Sequence, residues 1–267
     1  MTTTTIPLIQ QSDPPSISYL LTVSNDPKTV LGEKLGFLTG IQYLAPSTVS
    51  GIVNLCVKAS AGCKLACLFT SGRGKFTTTQ QARINRTILF VRFKPLFWAQ
   101  LIKNIKSLIR KAKKLGLIPV IRLNGTSDIL WERMTIKGTE FDGLTIFEAF
   151  PELQLYDYTK YTFQERPNLP NNYHLTYSFS EDTTPEMLAD NLDNGRNVAV
   201  VFNVCKLANK GKCHNKCKCP LPKTWNGYKV ISGNDSDVRF LDPTGVIVGL
   251  RANGKARYDD SGFVQKA

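Results

Sequence analysis

No stretch of this 267-residue chain approaches the roughly 20 consecutive apolar residues of a membrane-spanning helix, so no membrane partner is expected. Met1 to Ser24 contains no basic residue and is rich in Thr, Ser, Pro and Gln. It lacks the charged start and compact apolar middle of a secretory signal. A cytoplasmic protein is therefore expected, in the host cytoplasm if the chain is viral. No internal repeat and no long low-complexity linker divides the sequence. The expectation is an N-terminal arm over 1–33 and a single α/β domain over 34–267. Histidine occurs only twice. His174 lies inside a β-like run and reads as a hydrogen-bonded core or edge residue, while His214 stands beside thiols numerous enough to close a site without it.

Hydrophobic residues make up 42% of the chain, enough for a substantial core without metal. The formal net charge is +13. That excess favours a polyanionic partner, DNA or RNA, and is equally compatible with plain solubility. No base-reading module is present, so any such binding should show weak sequence preference.

All seven cysteines fall into two knots. The first is Cys56, Cys63 and Cys67; the second is Cys205, Cys213, Cys217 and Cys219. Bunched thiols in a chain without a secretory signal point to soft-metal ligation more than to disulfides. Three thiolates leave a tetrahedral set one ligand short, which suits an iron–sulfur cluster with one open iron, or a zinc site completed from elsewhere. Four thiolates can close a zinc site or hold a second cluster.

Short β-type runs alternate with helical patterns. Strands are expected at 36–44, 118–123, 153–158, 173–179, 197–204, 228–232 and 246–251. Helices are expected at 80–91, 94–115 and 184–194, the longest with Pro95 in its first turn and Gly116 as its cap. This alternation predicts a mostly parallel sheet covered by helices, as an open doubly wound sheet or a partial (β/α) barrel. The cysteine knots and Asn124, Asp128, Asp157, Lys160, Ser178, Ser180, Asp235 and Asp237 all lie at or just after the C-terminal ends of strands, the edge where α/β folds build their sites. Asp128 and Asp157 are candidates for acid–base or ribose-binding roles, or for loop capping.

The stretch CVKASAGCKLACLFTSGRGKF, then QARINRT, VIRLNGTSDILWE, YDYTK, YHLTYSFSE, NVAVVF and RFLDPTGVIVGLRANGKA, resembles an uncharacterised family of bacteriophage proteins. In that family NVAVVF runs on to the LPKTWNGYKVI region without the second knot, so residues 205–219 read as a cysteine-rich insertion near the C-terminal third. More distantly, the layout is similar to radical S-adenosylmethionine enzymes, where a three-cysteine loop after the first barrel strand holds a [4Fe-4S] cluster. Their usual spacing is C-x3-C-x2-C; here it is C-x6-C-x3-C. The resemblance implies a partial (β/α) barrel with the cluster on Cys56, Cys63 and Cys67. It implies S-adenosylmethionine near Asn124, Ser127 and Asp128, and catalytic candidates Asp128, Asp157 and Lys160. The substrate implied is a nucleotide or nucleic acid. The alternative is a metal-stabilised, non-catalytic nucleic-acid-binding protein.

Overall fold

The computed structural model describes residues 13–24, 27–204 and 219–267. The chain enters with strand β1 (Leu21–Val23) and helix α1 (Pro27–Lys34), then β2 (Phe37–Gln42), α2 (Ala61–Leu65), α3 (Thr77–Arg92), α4 (Lys94–Leu115) and β3 (Ile118–Arg122). It continues through α5 (Ile146–Ala149), β4 (Gln154–Thr159), β5 (Tyr173–Ser178), α6 (Pro185–Asp193) and β6 (Val198–Asn203). Strands β7 (Thr224–Trp225), β8 (Tyr228–Ser232), β9 (Ile247–Arg251) and β10 (Val264–Lys266) complete it.

These strands form one ten-stranded sheet in the order β1-β2-β3-β4-β5-β6-β9-β8-β7, with β10 also on β6. Every pairing from β2 through β6, β9 and β8 is parallel, and β1 and β7 add antiparallel edges. The sheet does not close on itself. Strands β2 to β6 lie side by side in chain order, without the reversal that defines a doubly wound sheet. β1 draws residues 21–23 into the sheet, and Leu20 is completely buried. Part of the segment read from sequence as an arm is thus structural.

Parallel strands are covered on both faces and need crossover helices to return the chain. α4 is such a crossover. Phe97, Leu101, Ile105, Leu108 and Ala112 recur at helical spacing and are all buried, whereas Lys103, Arg110, Lys113 and Lys114 stay exposed. Gly116 ends the helix in the left-handed region (φ 66°), and its N–H returns to the carbonyls of Ala112 and Lys113. The helix side of the sheet is sealed by an aromatic group. Phe97 stacks on Trp131 at 6.3 Å, and Phe90 and Trp98 meet the same indole at 5.4 and 5.9 Å. Trp131 and Glu132 lie in a single short turn, Trp131–Arg133.

On the opposite face, Phe240 packs against Phe37 and Tyr156 at 5.2 and 5.4 Å. Asp237 pairs with Arg122, and Asp242 with Arg239 at 3.0 Å. Asp237 and Asp242 therefore neutralise Arg122 and Arg239 beneath the sheet. None of the described helices is long and apolar enough to cross a membrane.

Truncating Phe97 to Ala removes the ring at the centre of this seal and should cost about 3–5 kcal/mol in urea unfolding. Lys103→Ala on the exposed side of the same helix should stay within about 0.5 kcal/mol. Equal effects would mean that α4 is not packed as described.

Candidate functional site

The chain leaves β2 at Gln42 and runs over the C-terminal edge of the sheet as the thiol loop. Ser60 caps α2 by accepting the Cys63 N–H (3.1 Å), so Cys63 sits in the first turn of that short helix. Cys67 follows it, and its sulfur accepts the Phe69 N–H at 3.5 Å. Cys56 donates to the Thr126 carbonyl at 3.6 Å, in the loop after β3. All three cysteines are free thiols, each partly exposed.

Loops from successive strands lock this edge. The Asp128 N–H donates to Leu55 O at 2.8 Å, and the Thr126 hydroxyl to Leu44 O at 2.6 Å, tying the β3 loop to the thiol loop. The Lys160 N–H donates to Asp128 Oδ2 at 2.7 Å, which ties in the end of β4. Beyond β5, Glu181 accepts the Ser60 hydroxyl at 2.7 Å and the Gly62 N–H at 2.5 Å. The C-terminal segment closes the ring: β10 pairs with Val201 to Asn203, past the point where β5 has left β6. There Ser261 and Phe263 press on Gly62 so closely that a methyl group on that glycine would overlap both.

Burial dominates the electrostatics. It pushes the Cys56 thiol up to about 12 and raises those of Cys63 and Cys67. Cys67 and Cys63 add to the rise at Cys56, so the three sulfurs feel one another's charge. Two cations oppose it: Lys160 beside Cys63 and Arg83 beside Cys67. The Lys160 ammonium is buried and donates to Ser178 O, Ser178 Oγ and Phe179 O at 2.7, 3.1 and 2.8 Å. Arg83 reaches in from α3, 4.7 Å from the Tyr43 ring centre and 5.5 Å from that of Phe69; its Nε and Nη1 have no hydrogen-bond partner. Among the described residues, no three His, Cys, Asp or Glu side chains are grouped to hold a metal ion.

The other residues singled out from sequence divide into two groups. Asp128 and Lys160 stand beside the thiols. Asp128 Oδ1 has no hydrogen-bond partner and lies 3.8 Å from the Arg166 guanidinium, and burial raises its pKa. Asn124, Ser127 and Asp157 instead build the loop. Asn124 Oδ1 accepts from Ser127 Oγ, Ile129 N and Trp131 Nε1 at 2.8–3.1 Å, and its own N–H donates to Asp157 Oδ1. Asp157 is fully buried and also accepts the Tyr173 hydroxyl at 3.0 Å. Asn124 and Ser127 therefore hold the loop in shape.

Of the second knot, Cys205, Cys213 and Cys217 lie outside the described residues, as does His214. Cys219 is disulfide-bonded, and its carbonyl accepts from Arg251 Nη1. Sequence reasoning passed over Glu181, Arg83 and Arg166. Arg166 is held by both oxygens of Glu132 at 2.9 and 2.6 Å and donates to Thr159 Oγ1. Glu181 follows a strand just as Ser180 does, and that placement was its signal; the two arginines gave none.

The sequence model of the gene product 88 family matches residues 19–267. The chain belongs to that family, a phage-type one. No curated protein and no solved structure matches it.

Two buried groups should shape the pH dependence of stability in opposite directions. Burial raises Asp157 from 3.8 to about 7. The folded chain then keeps a proton that the unfolded chain releases, so this contribution falls as pH rises from about 4 to 7. His174 is lowered from 6.5 to about 4 by burial and the nearby Arg196 and Arg239. Its contribution is present above pH 6.5 and lost as pH falls toward 4. In thermal melts, Asp157→Asn should gain on the wild type as pH rises through its window, and His174→Gln should lose less in acid. A pH-independent difference for either variant would refute its assignment.

Proposed function

We propose that this member of the gene product 88 family binds a [4Fe-4S] cluster through Cys56, Cys63 and Cys67, at the C-terminal edge of a partial (β/α) barrel. One observation carries the reading. Three free thiols of one loop are gathered at that edge within electrostatic reach of one another, with two buried cations, Lys160 and Arg83, beside them. The chemistry of the donor set supports the group: three thiols are ligands of the kind such clusters take, and the cluster's negative charge would meet the Arg83 guanidinium, which has unpartnered nitrogens. The side-by-side strand order supports the barrel-like reading.

When bound, such a cluster supplies single electrons and leaves one iron open to a small molecule, S-adenosylmethionine in enzymes of similar layout. The chain's own residues do the rest. Lys160 and Arg83 offset the charge of the thiolates. Glu181 and Ser60 hold α2 in place, which sets where Cys63 points. Asp128, close enough to raise the Cys56 and Cys63 thiols and itself raised by burial, is the group positioned to hold or pass a proton. Asp157 and Asn124 keep its loop in register. The substrate class we favour is a nucleotide or nucleic acid, with the protein working in the host cytoplasm, where thiols stay reduced. The second reading, a metal-stabilised nucleic-acid-binding protein without catalysis, draws on the exposed lysines of α4.

Anaerobic reconstitution should give brown protein with broad absorption near about 400 nm. The triple Cys56, Cys63, Cys67→Ala variant should lose that band together with its iron and sulfide. Unchanged iron in the triple variant overturns the assignment. Arg83→Met should lower iron occupancy and shift the reduction potential to more negative values, while Arg83→Lys retains most of both. A S-adenosylmethionine cleavage assay separates enzyme from binder.

With the Cys219 disulfide reduced, the second knot should hold its own zinc or cluster. Changing Cys213 and Cys217 to Ser should then remove that metal and leave the band of the first site intact. Joint loss of both from folded protein would mean that the knots share one site.

A further inference from the structure

Between Glu33 and Asp128 the chain has no Asp or Glu, yet it carries sixteen Lys and Arg. That stretch supplies the thiol loop, α2, α3 and α4. Part of its charge lies on α4, but in the wrong place to serve the site. The last turns of α4, with Arg110, Lys111, Lys113 and Lys114, lead through Gly116 directly into the start of β3. They therefore stand at the N-terminal edge of the sheet, opposite the thiols. Another part borders the thiol site. Lys64 and Lys75 are exposed and make no ion pair with a described carboxylate. Lys255 joins them from the C-terminal side, equally exposed and equally unpaired. Its turn, Gly254–Tyr258, packs on the turn Leu68–Thr70, and Gly254 lies against Ser71.

The same border exposes large apolar side chains. Tyr258 is 74% exposed, Leu65 69%, Leu68 64% and Phe76 54%. Apolar and aromatic groups left in water beside unpaired ammonium groups mark a docking surface. The charge requires an anionic partner, and the rings require one with flat apolar faces to offer.

We propose that this rim docks a single-stranded nucleic acid, with phosphates on Lys64, Lys75 and Lys255 and bases stacked on Tyr258 and Phe76. A single strand presents its bases to such rings, whereas a duplex hides them. The strand then crosses the mouth of the thiol site, which gives the proposed chemistry its substrate class. The inference rests on the functional reading for that last step only; docking itself requires no metal.

Fluorescence anisotropy of the full chain with an oligodeoxythymidylate of roughly 20 nucleotides, long enough to span one binding groove, tests it. The K64E/K75E/K255E variant should bind at least about tenfold more weakly. Its plot of log affinity against log salt should be shallower by about 2, at roughly 0.7 per phosphate contact on a single strand. Tyr258→Ala and Phe76→Ala should each lose about fivefold or more with the salt slope unchanged, since stacking releases no counterion. K111E/K113E/K114E on α4 should leave affinity nearly unchanged.

The proposal falls if the α4 variant weakens binding as much as the rim variant, or if the aromatic variants bind like wild type. It also falls if a duplex of the same length, or polyglutamate, binds as tightly as the single strand. The Cys56/Cys63/Cys67→Ala chain is measured in parallel. Binding that survives without the absorption band supports the surface even if the metal reading fails.

Discussion

Backbone N–H groups at the C-terminal edge of the sheet are satisfied by carboxylates from neighbouring loops, and the candidate site depends on this. A parallel sheet ends in loops whose donors have no ladder partner, and a buried donor left unpaired costs about 1–3 kcal/mol. Asp157 takes the N–H of Asn124, Asp128 that of Lys160, and Glu181 that of Gly62. Each bond spans two strands' loops. Together they set the thiol loop against the ends of β3, β4 and β5. Arg166, clamped by Glu132 and reaching Thr159, stiffens the same edge from beneath.

The charges that result are uneven, and the unevenness has a consequence. Buried arginines under the sheet are paired with acids, as Arg122 is with Asp237 and Arg239 with Asp242. Near the thiols, Arg83 meets rings and sulfur instead. An unpaired buried charge is costly, so a fold that keeps one needs a negative partner at that point. Among the neighbours of Arg83, Tyr43 and Cys67 are the groups whose negative charge would favour it. Lys160 answers the same demand differently, by donating three hydrogen bonds while facing Cys63.

Much of the framework was legible in the sequence. The helix at 94–115 was bounded by Pro95 and Gly116, and its buried stripe followed from spacing alone, because helical periodicity and capping are local properties. The parallel strands were also legible, as compact apolar runs between helical segments. β1, β7 and β10 were not: strands of two or three residues carry no periodicity and form only because a neighbour offers an open edge. The Trp131 turn was not legible either, because packing against Phe97 and Phe90 holds it and no local pattern marks it.

The thiol trio was likewise visible from spacing, since ligands in one loop are neighbours in the chain. Its surroundings were not. Arg83 lies 16 residues beyond Cys67, Glu181 comes from three strands further along the sheet, and Phe263 from near the C-terminus. By itself the sequence determined the three longest helices, the main strands and the cysteine loop, since each rests on contacts within a short run of residues. Only the tertiary structure decided that Asn124 and Asp157 support the loop, that Asp128 lies close to the thiols, and that Lys160 and Arg83 are the nearby cations. Those assignments depend on hydrogen bonds and charges between segments that no local pattern brings together.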